Sequence, residues 1–98
     1  MSGGAASEDT TMEPPEGPTY HVEISAKASE DFGALDPDAL EAIHQALDTL
    51  EKDPRPPGAR RRTAPGRYSL RAGLHRVLYA VDQEARLITI ERIRRRPR

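Results

Sequence analysis

The sequence predicts an α+β domain: two N-terminal helices packed on one face of a small, mainly antiparallel four-stranded sheet. Three observations predict it. Tyr20–Ser25 alternates apolar and polar residues, Asp36–Pro54 carries a capped apolar stripe of helical period, and three short alternating segments close the chain. At 98 residues with 36% apolar and 32% charged composition, the chain is one small domain with a thin core and a highly charged surface.

Residues 1–19 contain three prolines, three glycines and four acids without apolar periodicity, so they are expected to form a disordered tail. The domain is then 20–98. In its first strand Tyr20, Val22 and Ile24 point one way and His21, Glu23 and Ser25 the other. Lys27–Leu35 spaces Ala28, Phe32 and Leu35 as a short helix, interrupted by Gly33. The next helix is the clearest element. Asp36 caps it, Pro37 suits its first position, and Asp38 and Glu41 sit in its positive first turn. Leu40, Ile43, Leu47 and Leu50 form its stripe, and Pro54 ends it. A Pro- and Arg-rich connector, Asp53–Pro65, leads to strands at Arg67–Arg71, Arg76–Asp82 and Leu87–Ile93, turning at Ala72–Gly73 and Asp82–Ala85.

Charge divides the chain. Met1–Pro54 has 13 acids against Lys27 and Lys52, net −11, while Arg55–Arg98 has 13 arginines against Asp82, Glu84 and Glu91, net +10. Such a split suits nucleic acid or an acidic partner, and equally a surface that is merely solvated. Cysteine is absent, excluding disulfides and thiolate metal sites. No apolar run approaches the ~20 residues of a membrane span, so no membrane role is expected and the cytoplasm is the expected location.

With helices on one face, alternation leaves His21, Glu23, Arg67, Ser69, Arg71, Arg76, Thr89 and Glu91 on the other. This reads as an anion-binding face, because arginine presents a planar, permanently charged fork to phosphate. Cross-strand pairing of Arg71 or Arg76 with Glu23 or Glu91 is the alternative. His75, next to Arg76, is a candidate acid or base, whereas His44 reads as rim. No histidine pair has metal-ligand spacing, and neither a metal nor another cofactor is expected.

The connector followed by "GRYSLRAGLHRVLYAVD" and "RLITIERIRRR" resembles the RelE/ParE superfamily of toxins from type II toxin–antitoxin systems, over Tyr20 to about Arg96. The resemblance implies a cytoplasmic bacterial toxin whose partner is a cognate antitoxin. RelE-like members cleave mRNA on the ribosome, and ParE-like members poison DNA gyrase. Carried over, the arginine before "VLY" is Arg76, expected to contact the scissile phosphate with Arg71 and Arg96. Arg67, Ser69, Arg94 and Arg95 are the accompanying RNA-binding positions. The run "RRRPR" lacks the tyrosine or histidine found there in many RNase members, which leaves proton transfer to His75, Glu91, or the ribosome and substrate. A metal-independent mRNA endonuclease is the first reading, a gyrase inhibitor the second, and a non-catalytic antitoxin-binding protein the third.

Overall fold

Two local signals start the helices of this domain. In a computed structural model, which describes residues 19–96, Ser25 caps the first helix and Asp36 the second. Ser25 Oγ accepts from the Ala28 amide at 3.1 Å, and Asp36 Oδ1 accepts from the Ala39 amide at 2.8 Å. Each cap satisfies an amide that the first turn leaves without a partner, typically worth ~1 kcal/mol. The elements in order are β1 (His21–Ile24), α1 (Ala26–Gly33), α2 (Pro37–Lys52), β2 (Arg60–Arg61), β3 (Arg67–Ala72), β4 (His75–Asp82) and β5 (Leu87–Arg95).

The sheet corrects the expected fold class. It has five strands rather than four, it is mixed, and the helices follow the first strand instead of opening the domain. Its order is β1-β5-β4-β3-β2, with β1 parallel to β5 and the other pairs antiparallel. The apolar strands β4 and β5 take the interior, so the last strand inserts beside the first and leaves β1 on an edge. The fifth strand is β2, hidden in the connector. Two arginines carry no alternation, so pairing with Ser69 and Tyr68 alone makes them a strand.

Both helices cover one face. Ile43, Ala46 and Leu50 of α2 and Ala28 of α1 pack on Leu70, Ala72, Val77, Tyr79, Ile88, Ile90 and Ile93. The Tyr79 ring is fully buried and stacks on Tyr68 at 5.7 Å. Its hydroxyl donates to the Pro54 carbonyl at 2.8 Å, tying the connector to the core, and burial pushes its pKa well above the ordinary tyrosine range. Ile24, expected beneath the helices, is 44% exposed because it ends the edge strand. The hairpin joining β3 to β4 turns at Gly73, whose φ of +62° suits the first position of a two-residue turn.

One irregularity decides where the C-terminal arginines point. Leu78 pairs with Arg92 while Tyr79 pairs with Ile90, so Glu91 is an extra residue, a β-bulge in β5. Ile88 and Ile90 face the helices before it, and Ile93 does so after it. Residues from α1 and its cap hold the bulged segment. Ser25 Oγ donates to the Glu91 carbonyl at 3.1 Å, and Asp31 Oδ2 accepts from the Ile93 amide at 2.8 Å. The reading of 1–19 as a disordered tail falls, Thr19 apart, outside the described residues.

Candidate functional site

The face opposite the helices is built by three strands in register. Arg71 of β3 stands opposite Arg76 of β4, and Arg76 stands opposite Arg94 of β5. Alternation from buried Leu70, Ala72 and Val77 puts Arg71 and Arg76 on the open side, and the bulge brings Arg94 round to join them. The outcome is a row of three guanidinium-bearing residues across adjacent strands, each step about 5 Å. Like charges directly opposite one another destabilise a sheet, so the arrangement costs stability.

The carboxylates on this face are engaged elsewhere, Glu23 lying 3.9 Å from His21 Nε2 at the edge strand. Glu91 accepts from Arg62 Nη1 at 3.2 Å and lies 3.0 Å from Arg67 Nε. Arg92 Nε and Nη2 donate to the two Asp31 oxygens at 2.9 and 3.2 Å. These bonds, together with the Ile93 amide, outweigh partial desolvation and hold the Asp31 carboxyl below the usual carboxylate range. Among the described residues, no carboxylate lies within 4 Å of Arg60, Arg71, Arg76 or Arg94. The cross-strand pairing weighed for Arg71 and Arg76 is not formed here.

A groove of about 440 Å³ opens beside the row, lined by Pro57, Gly58, Arg60, Ser69, Leu70, Arg71 and Arg76. Arg60 is opposite Ser69 in the ladder, so β2 supplies a fourth arginine to the same basin. Sequence reasoning missed Arg60, since nothing in the connector marked a strand. Ser69, a buried polar residue, forms part of the groove floor. Four arginines around a concavity can hold phosphates through paired N–H donors.

A family model described as the ParE toxin of a type II toxin–antitoxin system matches residues 22–98. The chain belongs to that family. A chain of the RelBE2 toxin–antitoxin complex from Mycobacterium tuberculosis is 30% identical, with 83% of this chain and 95% of that one covered and a TM-score of 0.71. A chain of the archaeal RelE–RelB complex from Pyrococcus horikoshii is 26% identical, covering 82% and 98%, with a TM-score of 0.74. The isolated Escherichia coli RelE toxin shares the fold at 21% identity, 81% and 86% coverage and a TM-score of 0.70. No protein of curated function matches the chain.

The toxin distributes its remaining candidate residues over both faces. Arg67 is on the open face but tied to Glu91. His75 follows Val77 and Tyr79 in parity and so lies on the helix side, opposite to Arg76. It lines a separate hollow of about 240 Å³ with Asp36, Asp38, Leu74 and Arg95, and its Nδ1 is buried without a hydrogen-bond partner. Arg95 pairs with His75 in the ladder. Arg96 lies just beyond the last strand, its amide donating to the Leu74 carbonyl at 2.8 Å. The structure therefore brings Arg71, Arg76, Ser69 and Arg94 together, and places His75 and Arg95 on the other side of the sheet. No helix among the described residues is long and apolar enough to cross a membrane.

Proposed function

We propose that this toxin acts on RNA, as a metal-independent mRNA endonuclease that inhibits translation on the ribosome. The observation that carries this reading is the Arg71–Arg76–Arg94 row, free of carboxylates among the described residues and bordered by the Arg60 groove. In such cleavage an RNA 2′-hydroxyl attacks the adjacent phosphate, and negative charge grows on the phosphoryl oxygens. Fixed arginine donors stabilise that charge, which is usually the largest single contribution. Arginine does not exchange protons near neutral pH. His75 is across the sheet and Glu91 is held by two arginines, so the 2′-hydroxyl and leaving oxygen exchange protons with ribosomal or substrate groups.

The same shortage of an acid or base beside the row, with a family model described by ParE, favours a second reading: inhibition of DNA gyrase. In either case the partner that restrains the toxin is a cognate antitoxin, as in the mycobacterial and archaeal complexes, and the compartment is the cytoplasm.

Induction of the wild-type toxin followed by primer extension on abundant mRNAs separates the readings. Cleaved transcripts and arrested amino-acid incorporation are expected. Arg76→Ala should lower cleavage about a hundred- to thousandfold, the usual consequence of removing one preorganised donor. Intact mRNA with continuing protein synthesis and arrested replication would overturn the RNase reading for the gyrase one.

A further inference from the structure

We infer that the outer edge of β1 is a self-association surface, where a second copy of this chain pairs its own β1 antiparallel about a two-fold axis at Val22. The pairing joins two five-stranded sheets into one and turns both arginine rows to the same side. It stands independently of the RNA and gyrase readings.

The backbone supplies the first support. β1 closes one end of the sheet, with β5 on its inner side and no strand on its outer side among the described residues. The His21 and Ser25 amides donate to the Arg86 and Ile90 carbonyls at 2.9 and 3.0 Å. The alternate residues Val22 and Ile24 therefore direct their amides and carbonyls away from β5. Such an edge is a template for another strand. With Val22 opposite its own counterpart, each Val22 amide meets the other copy's Val22 carbonyl, and each Ile24 amide meets the other copy's Tyr20 carbonyl. The Tyr20 amide is not needed there, since it already donates to the Glu51 carbonyl at 2.9 Å.

The side chains fit the same register. It sets the exposed His21 of each copy opposite the exposed Glu23 of the other, where the imidazole can donate to the carboxylate. On the helix side Ile24, 44% exposed, comes against Tyr20 of the second copy. A charge on an edge strand usually deters pairing, and here it selects the register instead. Sliding one copy by two residues would set Glu23 against Glu23 or His21 against His21. The opposite edge offers no such fit, because β2 is only Arg60–Arg61 and a second β2 would bring arginine against arginine. Two-fold pairing at β1 is closed, so assembly stops at two copies. A single short strand from each copy makes a small interface, and association is weak and concentration dependent.

The chain has no cysteine, so a cross-link can report the register. Full-length His21→Cys and Glu23→Cys proteins are mixed at about 1 mM under mild oxidation. A mixed disulfide dimer is expected in large excess over either homodimer. Positions 21 and 23 of two copies lie directly opposite, whereas like positions are about 7–8 Å apart on the diagonal, beyond the usual disulfide span. The mixed dimer also keeps one His21–Glu23 contact intact. No excess of the mixed species overturns the proposal. A second measurement uses the wild-type chain. Hydrogen exchange at the Val22 and Ile24 amides should be severalfold slower at about 1 mM than at about 10 μM. Val22→Pro should remove that concentration dependence at Ile24 while leaving the β1–β5 ladder formed, because the Val22 amide faces away from β5. Exchange that does not change with concentration overturns the proposal. Protection gained only on adding a cognate antitoxin would also overturn it, assigning the edge to that partner's strand.

Discussion

Arg76 and Arg94 stand directly opposite each other across the β4–β5 ladder, with Arg71 opposite Arg76 on the other side. A sheet evolved for stability alone would place a carboxylate or a β-branched residue at one of these positions. In the proposed reading the central arginine holds an anion at the expense of the unbound fold.

Removing that arginine should therefore separate stability from activity. Arg76→Gln is expected to raise the unfolding free energy by up to ~0.5 kcal/mol, read from urea denaturation, because it relieves two like-charge contacts. The same variant should lose toxicity on induction. Arg76→Lys should keep the repulsion and restore little activity, since an ammonium cannot reproduce the two-pronged donor geometry. A fully toxic Arg76→Gln variant would remove the row from the mechanism.

Glu91 provides a test with the opposite sign. It neutralises Arg62 and Arg67 from the bulge, so Glu91→Gln should free positive charge on the open face. Oligonucleotide affinity is expected to rise severalfold, and the dependence of log affinity on log salt should steepen by up to about one unit for each additional phosphate neutralised. Loss of cleavage despite tighter binding would instead identify Glu91 as a proton-transfer group.

Asp31 anchors β5 to α1 through Arg92 and the Ile93 amide. Its carboxyl is held below the ordinary value of 3.8, so its contribution is fully present above that pH and is lost as pH falls through the lower folded-state value. Acid unfolding monitored by circular dichroism should accordingly begin at higher pH in Asp31→Asn than in the wild type. At neutral pH Asp31→Ala should cost ~1–3 kcal/mol, the usual consequence of leaving a part-buried donor without its acceptor. An unchanged acid transition in Asp31→Asn would contradict the assigned role.

Gly73 carries the hairpin that sets Arg71 against Arg76. Its φ is +62°, and a Cβ there would sit 3.3 Å from Ala42 Cβ on α2. Gly73→Ala should destabilise by about 1–2 kcal/mol through backbone strain and crowding, visible as a lowered midpoint in thermal unfolding. An unchanged midpoint would show that the turn relaxes without strain.

The chain's local chemistry was legible where it acts over a few residues. Asp36, Pro37 and the Leu40–Leu50 stripe define α2, and alternation through Tyr68–Leu70, Val77–Val81 and Ile88–Ile90 assigns the inward faces of the closing strands. The arginine-rich open face followed from the same alternation, and the "GLHRVLYAVD" run pointed to the toxin family that the family model supports. Strand order was not legible, because whether β1 pairs with β5 depends on which strands compete for the centre of the sheet. Nor was β2, which exists only through its partners Ser69 and Tyr68.

The membership of the row belongs to tertiary structure alone. Strict alternation from Ile88 and Ile90 would turn Arg92 and Arg94 toward the helices. The bulge at Glu91 reverses that parity, burying Ile93 and bringing Arg94 beside Arg76. Local sequence carries the period of a strand but not the position of its interruption. Here Ser25 and Asp31, more than sixty residues away in the chain, satisfy the backbone groups of the bulged segment. Which residues bear charge was written in the sequence, and which of them share a face was decided by those long-range hydrogen bonds.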